Sequence, residues 1–367
     1  MMKKIILSGI KSLIITIHLH AQGCIPIRNI AGFAQFAQLG YLPSPHNWMI
    51  NISGRYFQAY QSFNGTTKVP VPPHTADRFI NYNRTLNISI NKALENDWSL
   101  ALDVPMYSNE SIGHQEHRSG ERHATNSFGL GDIRFTVYKW ILKSDPTLKG
   151  NIEVGLGIKF ATGNYQYQDY FYNDPANPTV KTLAPVDPSI QLGDGGTGIT
   201  TQFNAFYIFN KILSLYGNFF YLINPMDQNG VSNQKGNIPS TKADTLIHKS
   251  GLDINSVPDN YTLRTGANFT IGKFVLTTGF RYEGAPSHDL FGGNSGLRRV
   301  GHIFSFEPGI QLKLKKGFLY AFYTLPLARE TIQSVPDKTY SDLLGSKYIS
   351  QGRFANYLIF VGYAFML

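Results

Sequence analysis

Between residues 48 and 367, apolar and polar residues alternate in twelve stretches of about ten residues each. The clearest places Ile80, Tyr82, Leu86, Ile88 and Ile90 on one face and Asn81, Asn83, Thr85, Asn87 and Ser89 on the other. Stretches at 98–106, 132–141 and 152–160 repeat the pattern, and stretches at 261–271, 274–283 and 304–312 repeat it with less contrast. The connections also alternate. Those around 92–97, 143–149, 210–211, 272–273 and 314–316 are short, and those around 61–78, 109–129, 164–196, 225–259, 285–300 and 329–353 are long. Strand, long, strand, short is the rhythm of a barrel with tight turns at one rim and large loops at the other. The expected fold is therefore all-β: a transmembrane antiparallel up-and-down β-barrel of twelve strands, with short periplasmic turns and long extracellular loops.

Composition separates this barrel from a soluble sandwich or propeller, which also has many short strands. Aromatic residues make up 13% of the chain, many at strand ends where a membrane interface wants them, while charged residues reach only 16%. The last stretch is apolar at every second position from Tyr357 to Leu367. It resembles the terminal signal read by the outer-membrane assembly machinery, although Leu367 stands where Phe or Trp is usual. Lys3, Lys4 and Lys11, the apolar run 12–19 and then Ala21 read as a secretory signal peptide over residues 1–21. Cys24 is the only cysteine, so no intramolecular disulfide is possible. Cleavage after Ala21 is preferred to lipidation at Cys24. Residues 22–47 either hang in the periplasm or plug the lumen. The net charge of +9 falls to +6 without the three leader lysines. The basic residues are scattered, which suits loops facing anionic lipopolysaccharide and argues against nucleic acid.

Several short segments resemble a bacterial outer-membrane transporter family associated with the meta-pathway of phenol degradation, distantly like long-chain fatty-acid transporters. They are Gly129-Leu130-Gly131-Asp132-Ile133, residues 157–163, Gln191-Leu192-Gly193-Asp194-Gly195-Gly196, Arg281-Tyr282-Glu283-Gly284, Arg298-Arg299-Val300-Gly301 and Glu307-Pro308-Gly309. The resemblance implies passive passage of small molecules, hydrophobic ones among them, with outer-membrane lipid, lipopolysaccharide and the assembly machinery as the other partners. The rival is a non-transport surface barrel, an adhesin or structural protein with partner-binding loops.

Chemistry is expected on the inward face. Asp103, Asp132, Glu153, Glu283 and Glu307 share it with Arg134, Lys159, Arg264 and Arg281. Acids and bases in near-equal numbers point to an ion-pair network, which both fills the lumen and selects solutes. His114, His117 and His123, with Glu116 and Glu121, read as a solvated loop, so no metal or other cofactor is expected. Some twelve-stranded barrels are phospholipases built on a Ser–His pair of one strand. Here His302 and Ser305 fall on opposite faces, so no enzymatic activity is expected.

Overall fold

The computed structural model describes residues 46–70, 79–113, 122–143, 147–172, 179–233 and 242–367. The leader 1–21, Cys24, nearly all of the 22–47 segment, His114, Glu116, His117 and Glu121 lie outside the described residues.

Alternation puts each strand's polar set inside. The strands are β1 (Trp48–Ala59), β2 (Ile80–Ala93), β3 (Trp98–Gly113), β4 (in two pieces, His123–Leu130 and Arg134–Trp140), β5 (Gly150–Lys159) and β6 (Gly198–Ile208). They continue as β7 (Leu213–Ile223), β8 (Asn260–Ile271), β9 (Phe274–Ala285), β10 (Gly301–Phe306 and Gly309–Leu314), β11 (Gly317–Thr331) and β12 (Tyr357–Met366). Each pairs antiparallel with the next, and β1 pairs with β12 from Met49↔Met366 to Gln58↔Tyr357, so the sheet closes. Closure leaves no strand edge unpaired, the condition for a sheet in lipid. The first and last strands end together, with Trp48 N donating to Leu367 O at 3.4 Å, at the rim that carries the short turns.

The outer wall is apolar. Ile52, Leu86, Leu156, Phe203, Leu276, Leu319 and Val361 are 41–61% exposed, while their inward neighbours Asn51, Ser53, Ser89 and Asn91 are 2% exposed or less. Aromatic belts bracket this wall. At the periplasmic rim Trp48 lies under Lys92 at 4.9 Å and Trp98 under Lys139 at 5.3 Å. At the other rim Tyr221, Tyr261, Tyr282 and His302 stack in a row with centroids 5.2–6.5 Å apart, and Tyr56, Tyr357 and Tyr323 form a second row. From Trp48 to Tyr56 the rise is about 20 Å at a tilt of roughly 40°, close to the apolar band of such barrels. The chain is an outer-membrane barrel.

Two departures from the sequence expectation stand out. The described residues of 109–129 are nearly all strand: β3 runs on to Gly113, and His123–Leu130 pairs back along it from Gly113↔His123 to Met106↔Leu130. The barrel wall here rises above the lipid, so polar residues such as Ser108, Glu110 and Asn126 face outward and hydropathic contrast disappears. The long connections also do not splay. Helix α1 (Lys242–Ser250) and helix α2 (Val335–Leu344) join through Ile247, Leu252, Leu297 and Tyr340, which ties three loops into one cap. Ser334 and Asp337 form a capping box at the start of α2, and Gly345 ends it at φ 69°. Burial pushes the Asp337 carboxyl above the ordinary carboxylate range, against hydrogen bonds from Ser350 and the backbone. A small sheet of Gln61–Asn64, Thr67–Lys68 and Gly352–Phe354 completes the roof.

In a variant with Cys24 replaced, Asn64→Cys and Ser346→Cys should react with a membrane-impermeant thiol reagent on whole cells. Glu95→Cys and Lys315→Cys should not. Labelling at the second pair alone would invert the topology.

Candidate functional site

All nine inward charges proposed from sequence are buried, none above 7% exposed. They form two clusters, with Glu153 apart from both.

The first cluster grows from a break in β4. Pro105 of β3 lacks an N–H, so the ladder to β4 cannot continue regularly there. The chain leaves the sheet at residues 131–133, and Gly131 N donates to Pro105 O at 2.8 Å. Gly131 is needed because any side chain would collide with the Tyr107 ring. The detour swings Asp132 into the lumen. Its Oδ1 accepts from Gly163 N at 3.0 Å, its Oδ2 accepts from Asp194 N at 3.4 Å, and Lys159 Nζ lies 3.4 Å away. Lys159 also contacts Asp194. Gly163 and Gly193 meet backbone to backbone, where an added Cβ would lie 2.5–2.6 Å from the partner chain. Beside this knot, Arg134 pairs with Asp103 across the ladder at 2.8 Å and lies over the Phe220 ring.

The second cluster sits beside a matching break in β10 at Glu307 and Pro308. The tight turn at Gly272 places Arg264 opposite Arg281 in register. Two adjacent guanidinium groups repel unless acids separate them. Glu307 takes Arg264 Nε at 2.7 Å on Oε1 and Arg281 Nη1 at 3.4 Å on Oε2, with Thr324 donating to Oε2 at 3.1 Å. Glu283 takes Arg281 Nε at 2.6 Å. Glu153 has no cation within ion-pair distance among the described residues. Asn204 donates to it at 2.9 Å and Asn218 donates to Asn204 at 3.0 Å, a polar row running along the wall towards Arg264.

A loop crosses the inner face of the wall that carries the first cluster. Residues 186–196 turn at Pro188–Ile190, where they dock on β2, β3 and the first piece of β4, and then reach the Asp132 knot at Gly193 and Asp194. Asn81 donates to Ser189 Oγ at 2.7 Å and Asn83 to Ser189 O at 3.2 Å. Ile190 O accepts from Asn109 at 3.3 Å and from the Ser127 hydroxyl. Between this loop, the ion-paired wall and the cap lies a cavity with about 170 Å³ open to the centre of a water molecule, room for about ten waters. Phe220, Leu222, Pro258 and Phe354 give it apolar walls, and Arg299 and Arg353 project onto it from the loops.

The inward strand charges were legible in sequence, but the crossing loop's anchors were not. Asn81, Asn83 and Asn109 follow the ordinary inward pattern, and only the fold shows that they grip Ser189 and Ile190. Asp194, Arg299 and Arg353 were missed as lumen groups because they lie on loops, where alternation says nothing about direction. Arg298 is an anchor of the cap: fully buried, it pairs with Asp289 at 2.8 Å and donates to Ser256. Ser305 points inward while His302 faces outward near Glu330 at 3.4 Å, so the two do not meet. His123 stacks on Tyr172 at 3.7 Å.

No protein-family model matches this chain, and no curated protein sequence matches it either. Solved structures do. The crystal structure of an outer-membrane channel from Pseudomonas putida F1 superposes with a TM-score of 0.57 at 11% identity, over 89% of this chain and 97% of that one. That likeness shows the same fold. The translocator domain of the autotransporter NalP from Neisseria meningitidis (TM-score 0.44, 10% identity, 90% and 92% covered) matches more loosely. So does the toluene transporter TbuX from Ralstonia pickettii (0.38, 10%, 88% and 90%).

Removing one member of a buried ion-pair network costs about 3–5 kcal/mol. Arg281→Ala strips Glu283 of its guanidinium and should lower the stability of the purified barrel by about 3 kcal/mol in urea unfolding followed by tryptophan emission. Lipid-facing Leu276→Ile should change it by less than about 1 kcal/mol. Equal effects would show that the network adds nothing to stability.

Proposed function

We propose that the chain is a passive outer-membrane channel for small molecules, hydrophobic ones among them. The observation that carries this reading is the cavity inside the barrel, lined on one side by the 186–196 loop. A purely structural barrel of this width needs no space between its loops and its wall. The fold shared with an outer-membrane channel of Pseudomonas putida F1 supports the reading. So does the convergence of three motif segments that resemble the phenol-pathway transporter family: 129–133, 157–163 and 191–196 meet at Asp132 inside the lumen. Ion pairs around the lumen supply the charge filter. No bond-making step belongs to this reading. Docking of the terminal strand, Tyr357–Met366, on the assembly machinery and of the basic outer loops on lipopolysaccharide complete the set of partners.

Planar-bilayer conductance and liposome swelling with sugars, aromatics and fatty acids test it. Wild-type protein should pass at least one class. Asp132→Ala should raise conductance at least about twofold by freeing the base of the crossing loop. Arg281→Ala should shift the reversal potential in a salt gradient towards cations, since it removes one lumen positive charge. A barrel that passes nothing, also after Asp132→Ala, overturns the channel and favours a surface adhesin or structural role.

A further inference from the structure

The connection between β9 and β10 makes a tight turn at 289–294 whose hollow is filled. The buried Arg298 guanidinium donates to Asp289 Oδ2 at 2.8 Å, to Gly293 O at 3.1 Å and to Asn294 Oδ1 at 3.3 Å, and Asn294 Oδ1 also accepts from Asp289 N at 2.7 Å. The turn is fixed to its neighbours as well. Ser295 N donates to Asp227 Oδ1 at 2.8 Å, and Gly292 and Gly293 lie so close to Pro225 and Asp227 that a Cβ on either would collide. Arg298 occupies the inner side, so Leu290 and Phe291 stand on the outer side, 60% and 65% exposed. Pro225, against which Gly292 packs, and Met226 are exposed too. Asp259 sets the height of this turn. Its Oδ2 accepts from Leu290 N at 2.9 Å and from the Tyr221 hydroxyl at 3.1 Å. Tyr221 begins the outward row of Tyr221, Tyr261, Tyr282 and His302 at the outer rim, so Leu290 sits one carboxylate away from the aromatic belt.

We propose that Leu290 and Phe291 form a membrane anchor: the turn seats their side chains in the outer-leaflet lipid, where headgroups give way to acyl chains. Aromatic belts lie at headgroup level, and an apolar side chain beside one reaches that boundary. The patch continues the lipid-facing wall upward past Tyr221, so lipid already covers the surface it extends. A slack loop could fold two such side chains inward. This one cannot, because Arg298 fills its hollow and Asp227 and Asp259 hold its backbone. The same connection places Leu297 in the cluster of Ile247, Leu252 and Tyr340, so the anchor pins one side of the cap to the bilayer. The inference rests on the outer-membrane barrel and not on what passes through it.

The test uses the purified full-length barrel with Cys24 replaced, in phosphatidylcholine nanodiscs holding one copy each, with a nitrobenzoxadiazole label on a single introduced cysteine. At Phe291→Cys the label should emit at shorter wavelength than in water. It should lose at least about half its emission when acyl-brominated phosphatidylcholine replaces the plain lipid, as a side chain at the acyl boundary requires. Iodide in the buffer should quench it little. At Ser346→Cys, just past α2, iodide should quench and bromine should not. Adding Leu290→Glu beside the Phe291 label should cut the bromine quenching at least about twofold, because a carboxylate is costly at that depth. Heat-modifiable gel mobility shows that each labelled variant is a folded barrel. A Phe291 label that iodide quenches as strongly as the one at Ser346, and that bromine leaves alone, overturns the proposal. A label shifted to short wavelength but untouched by bromine overturns it too and assigns the tip to a contact within the cap. A shift seen only in discs loaded with two copies assigns the tip to a second copy of this chain and defeats the lipid reading.

Discussion

A sheet in lipid cannot leave an edge open, and everything else in this molecule follows from meeting that condition with twelve strands. The seam between β1 and β12 is paired over its full length, so the backbone is satisfied within the wall. Closure sends every second side chain inward, where strand alternation places most of the chain's buried polar groups. The lumen is thus lined by Asn, Ser, Thr, Gln, Asp, Glu, Arg and Lys, except where Met49, Phe57, Phe318, Tyr320, Phe322 and Phe360 pack as an apolar patch inside β1, β11 and β12. Burying so many polar groups is costly unless they bond one another, which explains why most of the charged ones appear as opposite pairs.

The ladder is broken in two places, and each break delivers an acid. Asp132 emerges where β4 is interrupted beside Pro105, and Glu307 where β10 is interrupted at Pro308. β4 and β10 stand six strands apart in a ring of twelve, on opposite walls, and the two acids lie at similar heights, eight and seven residues above Trp140 and Leu314. Leaving the sheet lets a carboxylate reach further into the lumen than an ordinary strand position allows. It also leaves the acid able to accept from more than one neighbouring element. Glu307 uses this reach to separate two arginines. Asp132 uses it to hold a loop. The same local device, a proline that removes a ladder donor, serves wall packing on one side and loop attachment on the other.

Much of this was readable from the chain. Period-2 alternation located the twelve strands, the short and long connections gave the topology, and counting from the Gly272 turn set Arg264 level with Arg281. Alternation failed where its physical cause failed. Above the lipid the outer face of β3 and β4 is wet, so the segment 109–129 lost its contrast and read as loop. The loops carry no periodicity, so nothing indicated that Ser189 would reach Asn81 or that Arg353 would face the lumen. The glycine-rich motifs were legible as sharp turns, but their convergence was not. Gly163, Gly193 and Asp132 lie in three segments far apart in sequence, and their meeting depends on the close backbone approach that only the folded wall creates.

The two ends of the crossing loop are held by different forces. At the tip, Ser189 and Ile190 accept neutral hydrogen bonds from Asn81, Asn83, Asn109 and Ser127, each worth about 0.5–1.5 kcal/mol net. At the base, Asp132 combines an ion pair with two backbone N–H groups. Burial does not separate the ends, since Ile190, Asn81, Asn109 and Ser127 are as closed to solvent as Asp132. The tip rests on β2, β3 and the first piece of β4, and the base on the charges of β4 and β5, so one short segment spans four neighbouring strands on the inner face of a single wall. Neutral amides and a charged knot thus lie side by side on that wall, and the loop that joins them fixes their spacing.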